Sequence, residues 1–174
     1  MQTDTAVITD IPCLAARLPM PAPPGADRPL VILGVAASDP HVVANHLIAM
    51  HLRENGFEVV NLGACTPALA FMEAWQRHPS ALAILIGSLN GHAVEDLADL
   101  AMLKRDFQVR CPIIAGGNLS VGAVKDGEEH ARLIAIGVDA VLTDADDILP
   151  FLQELIAARD AVTSPAEPLR IIAP

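Results

Sequence analysis

Residues 30–41 read LVILGVAASDPH: an apolar run from Leu30 to Ala36 that stops at Ser38-Asp39-Pro40-His41 as a helical pattern begins. A run without polar alternation is the signature of a strand covered on both faces of a parallel sheet. The loop leaving the carboxyl end of such a strand is where open α/β sheets place their ligands. Two readings of this loop stay open on its residues alone. In one, Asp39 caps the coming helix, Pro40 is the first helical residue and His41 is an exposed first-turn residue. In the other, the imidazole donates one ring nitrogen to Asp39 or a neighbour and offers the other to a metal.

Outward from this stretch, apolar runs and helical patterns alternate along the chain. The spacing predicts a helix over His41 to Asn55, with Val43, Leu47 and Met50 inward and Gly56 just past its end, and a second strand over Phe57 to Leu62. Thr66-Pro67 opens a helix carrying Ala68, Phe71, Met72 and Trp75 at helical spacing, closed by His78-Pro79, and Ala81 to Ile86 is the third strand. Beyond the loop Gly87 to Gly91, a third helix puts Val94, Leu97, Ala98 and Ala101 on one face. Pro112 to Ala115 is the fourth strand. Gly116-Gly117-Asn118, a helix ending at Gly137, a fifth strand over Val138 to Leu142 and a last helix around Leu149 to Arg159 complete the pattern.

Strand-helix units repeated in this way fit an α/β fold, a doubly wound five-stranded parallel sheet of flavodoxin-like order 2-1-3-4-5, Rossmann-like in its winding. The domain is expected over residues 29–160, between a flexible Pro/Ala-rich arm (1–28) and a flexible tail (161–174). The apolar patch Ile11 to Leu18 is either a piece of loose arm or a segment that docks on its own domain or a partner. The switch point between the first and third strands brings a ligand to Asp39-Pro40-His41, Gly87-Ser88-Leu89-Asn90-Gly91 and Gly116-Gly117-Asn118.

Composition narrows the function classes. A chain of 174 residues buries a core without staples, and Cys13, Cys65 and Cys111 form no Cys-x-x-Cys pair, so no disulfide framework or structural zinc site is indicated. The first residues lack a basic segment before an apolar core and no apolar run reaches membrane-spanning length, so a cytoplasmic protein without membrane contact is expected. A formal charge of −10 with only Lys104 and Lys125 as lysines argues against a nucleic-acid partner. Gly34-Val35-Ala36-Ala37-Ser38-Asp39 matches neither a P-loop nor a Gly-x-Gly-x-x-Gly turn. No lysine follows Lys125, which disfavours a phospho-receiver. With four phenylalanines, one tryptophan and no tyrosine, flavin stacking is disfavoured as well.

Ser38-Asp39-Pro40-His41-Val42-Val43-Ala44-Asn45, followed by Gly56-Phe57-Glu58-Val59-Val60-Asn61-Leu62-Gly63, resembles the cobalamin-binding domain family of adenosylcobalamin mutases, most closely the small (sigma) subunits of glutamate (methylaspartate) mutase. The resemblance runs from about Val31 to about Ala157. It implies that His41, in the position of the family's Asp-x-His-x-x-Gly motif, is the lower ligand of the cobalt and that Asp39 bonds to it. The nucleotide tail of the cofactor would enter between the first and third strands. The cofactor site it implies comprises Ser38, Asp39, Pro40, His41 and Val42, then Gly87, Ser88 and Leu89, then Gly116, Gly117, Asn118, Leu119, Ser120, Val121 and Gly122. The metal ligand is His41, and no residue of this chain is catalytic in itself. The implied cofactor is adenosylcobalamin, and the implied partner a larger catalytic barrel subunit that carries the radical rearrangement, so that the chain alone is inactive.

Three departures from the family pattern bear on the site. Ala44 stands where the motif has glycine, Gly87 where the Ser-x-Leu motif has its serine, and Thr143-Asp144-Ala145-Asp146 where a proline-glycine-threonine loop is expected. Alternatives from other classes are a non-catalytic or degenerate cobalamin-binding or regulatory protein, and a corrinoid carrier for methyl transfer. The last ranks below the mutase reading because the proline-broken arm is unsuited to a helical cap. Of the other histidines, His46 and His51 lie on different faces of one helix. Only His92 is near the expected pocket, where it could reach a corrin amide.

Overall fold

In the computed structural model, which describes residues 7–8, 28–119 and 128–163, the apolar run forms β2 (Leu30–Val35). It is the centre of a sheet in which β3 (Glu58–Asn61), β2, β4 (Ala83–Ser88), β5 (Ile113–Gly117) and β6 (Ala140–Leu142) lie side by side and parallel. Counted from β2, this is the expected order 2-1-3-4-5. The edge differs from expectation: Val7–Ile8, inside the stretch read as a flexible arm, forms β1 and pairs antiparallel with Val141 and Ala140 of β6, so among the described residues the sheet has six strands. A two-residue strand carries no periodicity that a sequence reading could detect. The patch Ile11 to Leu18, Lys125 and the tail from residue 164 lie outside the described residues.

Helices cover both faces, which is why the strands read as continuous apolar runs. On one face α1 (Val42–Glu54) and α6 (Ile148–Thr163) pack Ala49, Leu52, Phe151 and Leu152 against Val31, Leu33, Leu85 and Ile114. On the other, α2 (Ala68–Arg77), α3 (Ala93–Asp96), α4 (Leu100–Asp106) and α5 (Glu128–Ala135) pack Phe71, Met72, Trp75, Leu97, Leu100 and Leu133 against Ile32, Ile84 and Ile113. Val31 and Leu33 alternate with Ile32, so the two cores interleave along one strand. Among the described residues no helix is long and apolar enough to cross a membrane.

Two helices depart from the predicted patterns. On α1, Val43, Leu47 and Met50 are 69%, 60% and 54% exposed, while Asn45, Ala49 and Leu52 are buried. Both sets have the spacing i, i+4, i+7 and are offset by two residues, or nearly opposite sides of the helix, so spacing could not choose between them. The phase is set beyond the helix, where Gly56 takes φ +89° and the Phe57 amide bonds the Leu52 carbonyl, so that Leu52 and Phe57 bury together. The predicted third helix is broken between Asp96 and Leu100 into α3 and α4, leaving Ala98 and Ala101 exposed. The last helix runs past the expected boundary at residue 160, to Thr163.

Candidate functional site

The strand registers Val35 with Gly87, Gly87 with Gly116 and Ser88 with Gly117 bring the carboxyl ends of β2, β4 and β5 level. The loop after β2 turns there around Asp39, which is fully buried. One carboxylate oxygen, Oδ1, accepts the His41 amide at 2.9 Å and the His41 Nδ1 at 2.5 Å; the other accepts the amides of Leu89 and, at 3.2 Å, Asn90. Asp39 is therefore not the helix N-cap, a position His41 itself occupies, but the post to which the histidine is tied. With Nδ1–H donated to a carboxylate, the imidazole is held in the tautomer whose Nε2 lone pair is free, and the side chain is 51% exposed. Burial pushes the Asp39 carboxyl up, but the amide of Leu89 and the amide and ring of His41 outweigh it and hold it below the ordinary carboxylate range.

A second layer holds the loop. Ser38 donates its amide (3.0 Å) and hydroxyl (2.8 Å) to Asp96 Oδ2, and Asn90 Nδ2 donates to the Ser38 carbonyl (3.1 Å) and Oγ (2.8 Å). Asn90 Oδ1 in turn accepts from Ser88 Oγ at 3.2 Å and from the His92 amide at 3.1 Å. The break between α3 and α4 leaves Asp96 at the end of a short helix, where its carboxylate meets Ser38.

Beside His41 a slot opens between α1, α6 and the sheet. Leu33, Val35, Ala44, Ile48, Leu85, Gly87, Ile114, Gly116, Leu142 and Ile148 line it, with Asn45 in the wall and Asp144 and Ala145 also among the lining residues. Its volume of about 150 Å³ is below the ~300–1,000 Å³ of a whole small-molecule site, so it takes one part of a ligand whose remainder lies outside. The glycines that shape it are not equivalent. A Cβ on Gly117, at φ +113°, would stand 2.4 Å from the Ser88 carbonyl oxygen and 3.1 Å from Leu89 Cδ2, and one on Gly116 would stand 3.2 Å from the Leu142 carbonyl oxygen. A Cβ on Gly87 would only reach ordinary contact, 3.7 Å from the Gly34 carbonyl oxygen and Val35 Cγ2.

Of the residues singled out from sequence, Asp39, His41, Gly87, Ser88, Leu89, Gly116 and Gly117 come together here, with Ser38 and Pro40 in the same loop. Asn118 bonds the Leu89 carbonyl at 3.5 Å through Nδ2. Val42 does not line the slot, and Leu119 is buried in the core on the opposite face of the sheet. Ser120, Val121 and Gly122 lie outside the described residues. His46 and His51 are exposed on α1, and His92 takes part through its amide rather than by lining the slot. Sequence reasoning missed Asn45 and Asp96, and placed Asn90 in the ligand loop without the bonds that tie it to Ser38. Asn45 carried a signal, four residues after His41 and hence on the same side of the helix, which the choice of the wrong apolar stripe concealed.

A family model described as the B12 binding domain matches residues 29–152. The chain belongs to the B12-binding domain family. The matched span contains His41 and every residue that lines the slot. The glutamate mutase sigma subunit 1 of Haloarcula marismortui is 36% identical over 144 residues, 81% of this chain and 93% of that one. The sigma subunit of Halobacterium salinarum is 39% identical over 118 residues, 68% and 78% of the two chains. Among solved structures, a cobalamin-binding protein from Desulfitobacterium hafniense superposes with a TM-score of 0.60 at 18% identity, over 74% of this chain and 59% of that chain. The methanol:cobalamin methyltransferase complex MtaBC from Methanosarcina barkeri gives 0.57 at 22%, over 83% and 51%. At such identities the structures speak for the fold of the B12-binding domain and for nothing finer.

Proposed function

We propose that this chain binds cobalamin with His41 as the lower cobalt ligand and the cofactor's own base displaced into the slot, and that it serves as the small subunit of an adenosylcobalamin-dependent mutase of the glutamate-to-3-methylaspartate type. The observation that carries this is the pairing of His41 Nδ1 with the buried Asp39 carboxylate, beside an apolar slot too small for a whole ligand. His41 offers one donor atom, and among the described residues no group of three or more His, Cys, Asp or Glu could hold a bare ion. A single imidazole suits a metal that arrives with its other positions already filled by a macrocycle. The residues fit the group in a second respect: the slot beside His41 is lined mostly by apolar side chains and by Gly87, Gly116 and Gly117, which put no side chain into it.

In this reading Asp39 fixes the tautomer and orientation of His41 and raises its donor strength, Ser38, Asn90 and Asp96 keep the loop from moving, and the slot excludes water from the buried tail. When bound, adenosylcobalamin supplies radical chemistry through its cobalt–carbon bond. A radical open to water would be quenched, so a cover is required, and a barrel-shaped partner subunit is its source. The relatives named as glutamate mutase sigma subunits support this choice of partner and reaction.

The test is a titration of the full chain with hydroxocobalamin. Stoichiometric retention and a spectrum with a protein imidazole on cobalt are expected from the wild type, the same from His46→Ala and His51→Ala, and loss of the imidazole-ligated spectrum from His41→Ala. No spectral change at high micromolar cofactor would refute the assignment. Glutamate turnover is expected only when this chain, the larger subunit and adenosylcobalamin are mixed; turnover by this chain alone would refute the split site.

A further inference from the structure

Asn45 Oδ1 is the only buried side-chain polar atom among the described residues without a hydrogen-bond partner. Its orientation follows from a neighbour. Asn61 Oδ1 already accepts the Gly63 amide at 2.9 Å and is thus an acceptor, so Asn45 must turn Nδ2 toward it, at 2.7 Å, and leave Oδ1 over. The residue is 1% exposed and lines the slot. It follows His41 by one helical turn, on the same side of α1, which runs down from the mouth, so it stands one turn below the cobalt ligand. Leu33, Ile48, Leu85, Ile114, Leu142 and Ile148 make most of the remaining wall apolar, with Ser88 and Asp144 its other polar members beside His41. The slot therefore presents an unused acceptor in a largely apolar enclosure.

We propose that Asn45 is a specificity-determining residue, whose Oδ1 accepts a hydrogen bond from a hydroxyl on the neck of the inserted tail, so that the slot selects corrinoids whose apolar base is joined through a hydroxylated sugar. This rests on the cobalamin reading above and deepens it. The displaced base cannot meet the need, because its free ring nitrogen is itself an acceptor; the ribose hydroxyls are donors. Binding then removes the penalty of an unsatisfied buried acceptor, a gain that a tail without hydroxyls forgoes.

The full chain is titrated with hydroxocobalamin, with cobinamide, which lacks the tail, and with a cobalamin whose free ribose hydroxyls are methylated; Asn45→Leu and Asn45→Ala are treated alike. Wild type should bind the methylated compound about tenfold more weakly than hydroxocobalamin, the size of one hydrogen bond. The variants should bind hydroxocobalamin about tenfold more weakly than wild type does, be indifferent to methylation, match wild type on cobinamide and keep the imidazole-ligated spectrum. Equal losses on methylation in wild type and variants, or equal losses of cobalamin and cobinamide in the variants, would overturn the assignment. The wild-type comparison needs no variant to fold: undiminished binding of the methylated compound overturns the role of Asn45 while leaving cobalamin binding intact. Failure of wild type to bind hydroxocobalamin removes both.

Discussion

At Asp39 a carboxylate with no solvent exposure is surrounded by three backbone amides and one imidazole nitrogen. Replacing it by asparagine leaves one oxygen to accept where two did, so His41 loses its fixed orientation but not its place; cobalamin affinity should fall about tenfold, measured against unchanged binding by His46→Ala. The same network makes a prediction about acid. A carboxyl whose folded value lies below its ordinary 3.8 contributes stability that is complete above that value and is lost as pH falls through the lower, folded one. In cobalamin-free protein the stability advantage of wild type over Asp39→Asn should accordingly hold from neutral pH down to about 4 and shrink below it. An advantage unchanged at pH 2 would contradict the linkage. The Asp39–His41 pair was legible because the two residues lie two apart. The grips of Asn90 and Asp96 on Ser38 span 52 and 58 residues, and only the folded sheet brings them together.

Among elements, α1 shows where pattern stops being informative. Its existence and ends were readable from Pro40 and Gly56, but its rotation was not, since the more apolar stripe Val43, Leu47 and Met50 had the same spacing as the buried Asn45, Ala49 and Leu52, and the contact that chose between them lies at Phe57. The glycine-rich strand ends were likewise visible as loops without revealing which glycines are obligatory. Gly117→Ala, pushed against the Ser88 carbonyl at a positive φ, should cost about 2 kcal/mol or more in denaturant unfolding. Gly87→Ser, which has room for its Cβ, should stay within about 1 kcal/mol of wild type, while placing a hydroxyl against the slot and tightening cobalamin binding. Ala44→Gly should lower helix stability by about 1 kcal/mol and, by removing a methyl from the slot wall, also tighten cobalamin binding. Weaker binding by Ala44→Gly would show that the tail does not pass there.

For the molecule as a whole, the winding of the sheet was the most legible feature, because right-handed crossovers leave few ways to arrange alternating strands and helices. The antiparallel edge strand at Val7–Ile8 was not, since its only reason to be a strand is the open edge of β6 it covers. Sheet order in turn located the slot before any side chain was placed: β2 and β4, adjacent in space but separated by β3 in sequence, are where connections diverge to opposite faces and leave a crevice.

Cys65 gives the loop that carries His41 a chemical reporter. It is exposed, sits at φ +52°, and sends its amide (3.1 Å) and Sγ (3.6 Å) to the carbonyl of Asp39. Cys111, by contrast, is fully buried, and burial pushes its thiol pKa far up, so it stays protonated and silent. A maleimide should therefore alkylate Cys65 and spare Cys111 in the folded protein, with peptide mapping separating both from Cys13. Seating a corrin over His41 should slow alkylation at Cys65 in step with the appearance of the imidazole-ligated spectrum. The rate of one thiol would then follow the occupancy of the site in solutions too turbid or too dilute for absorbance.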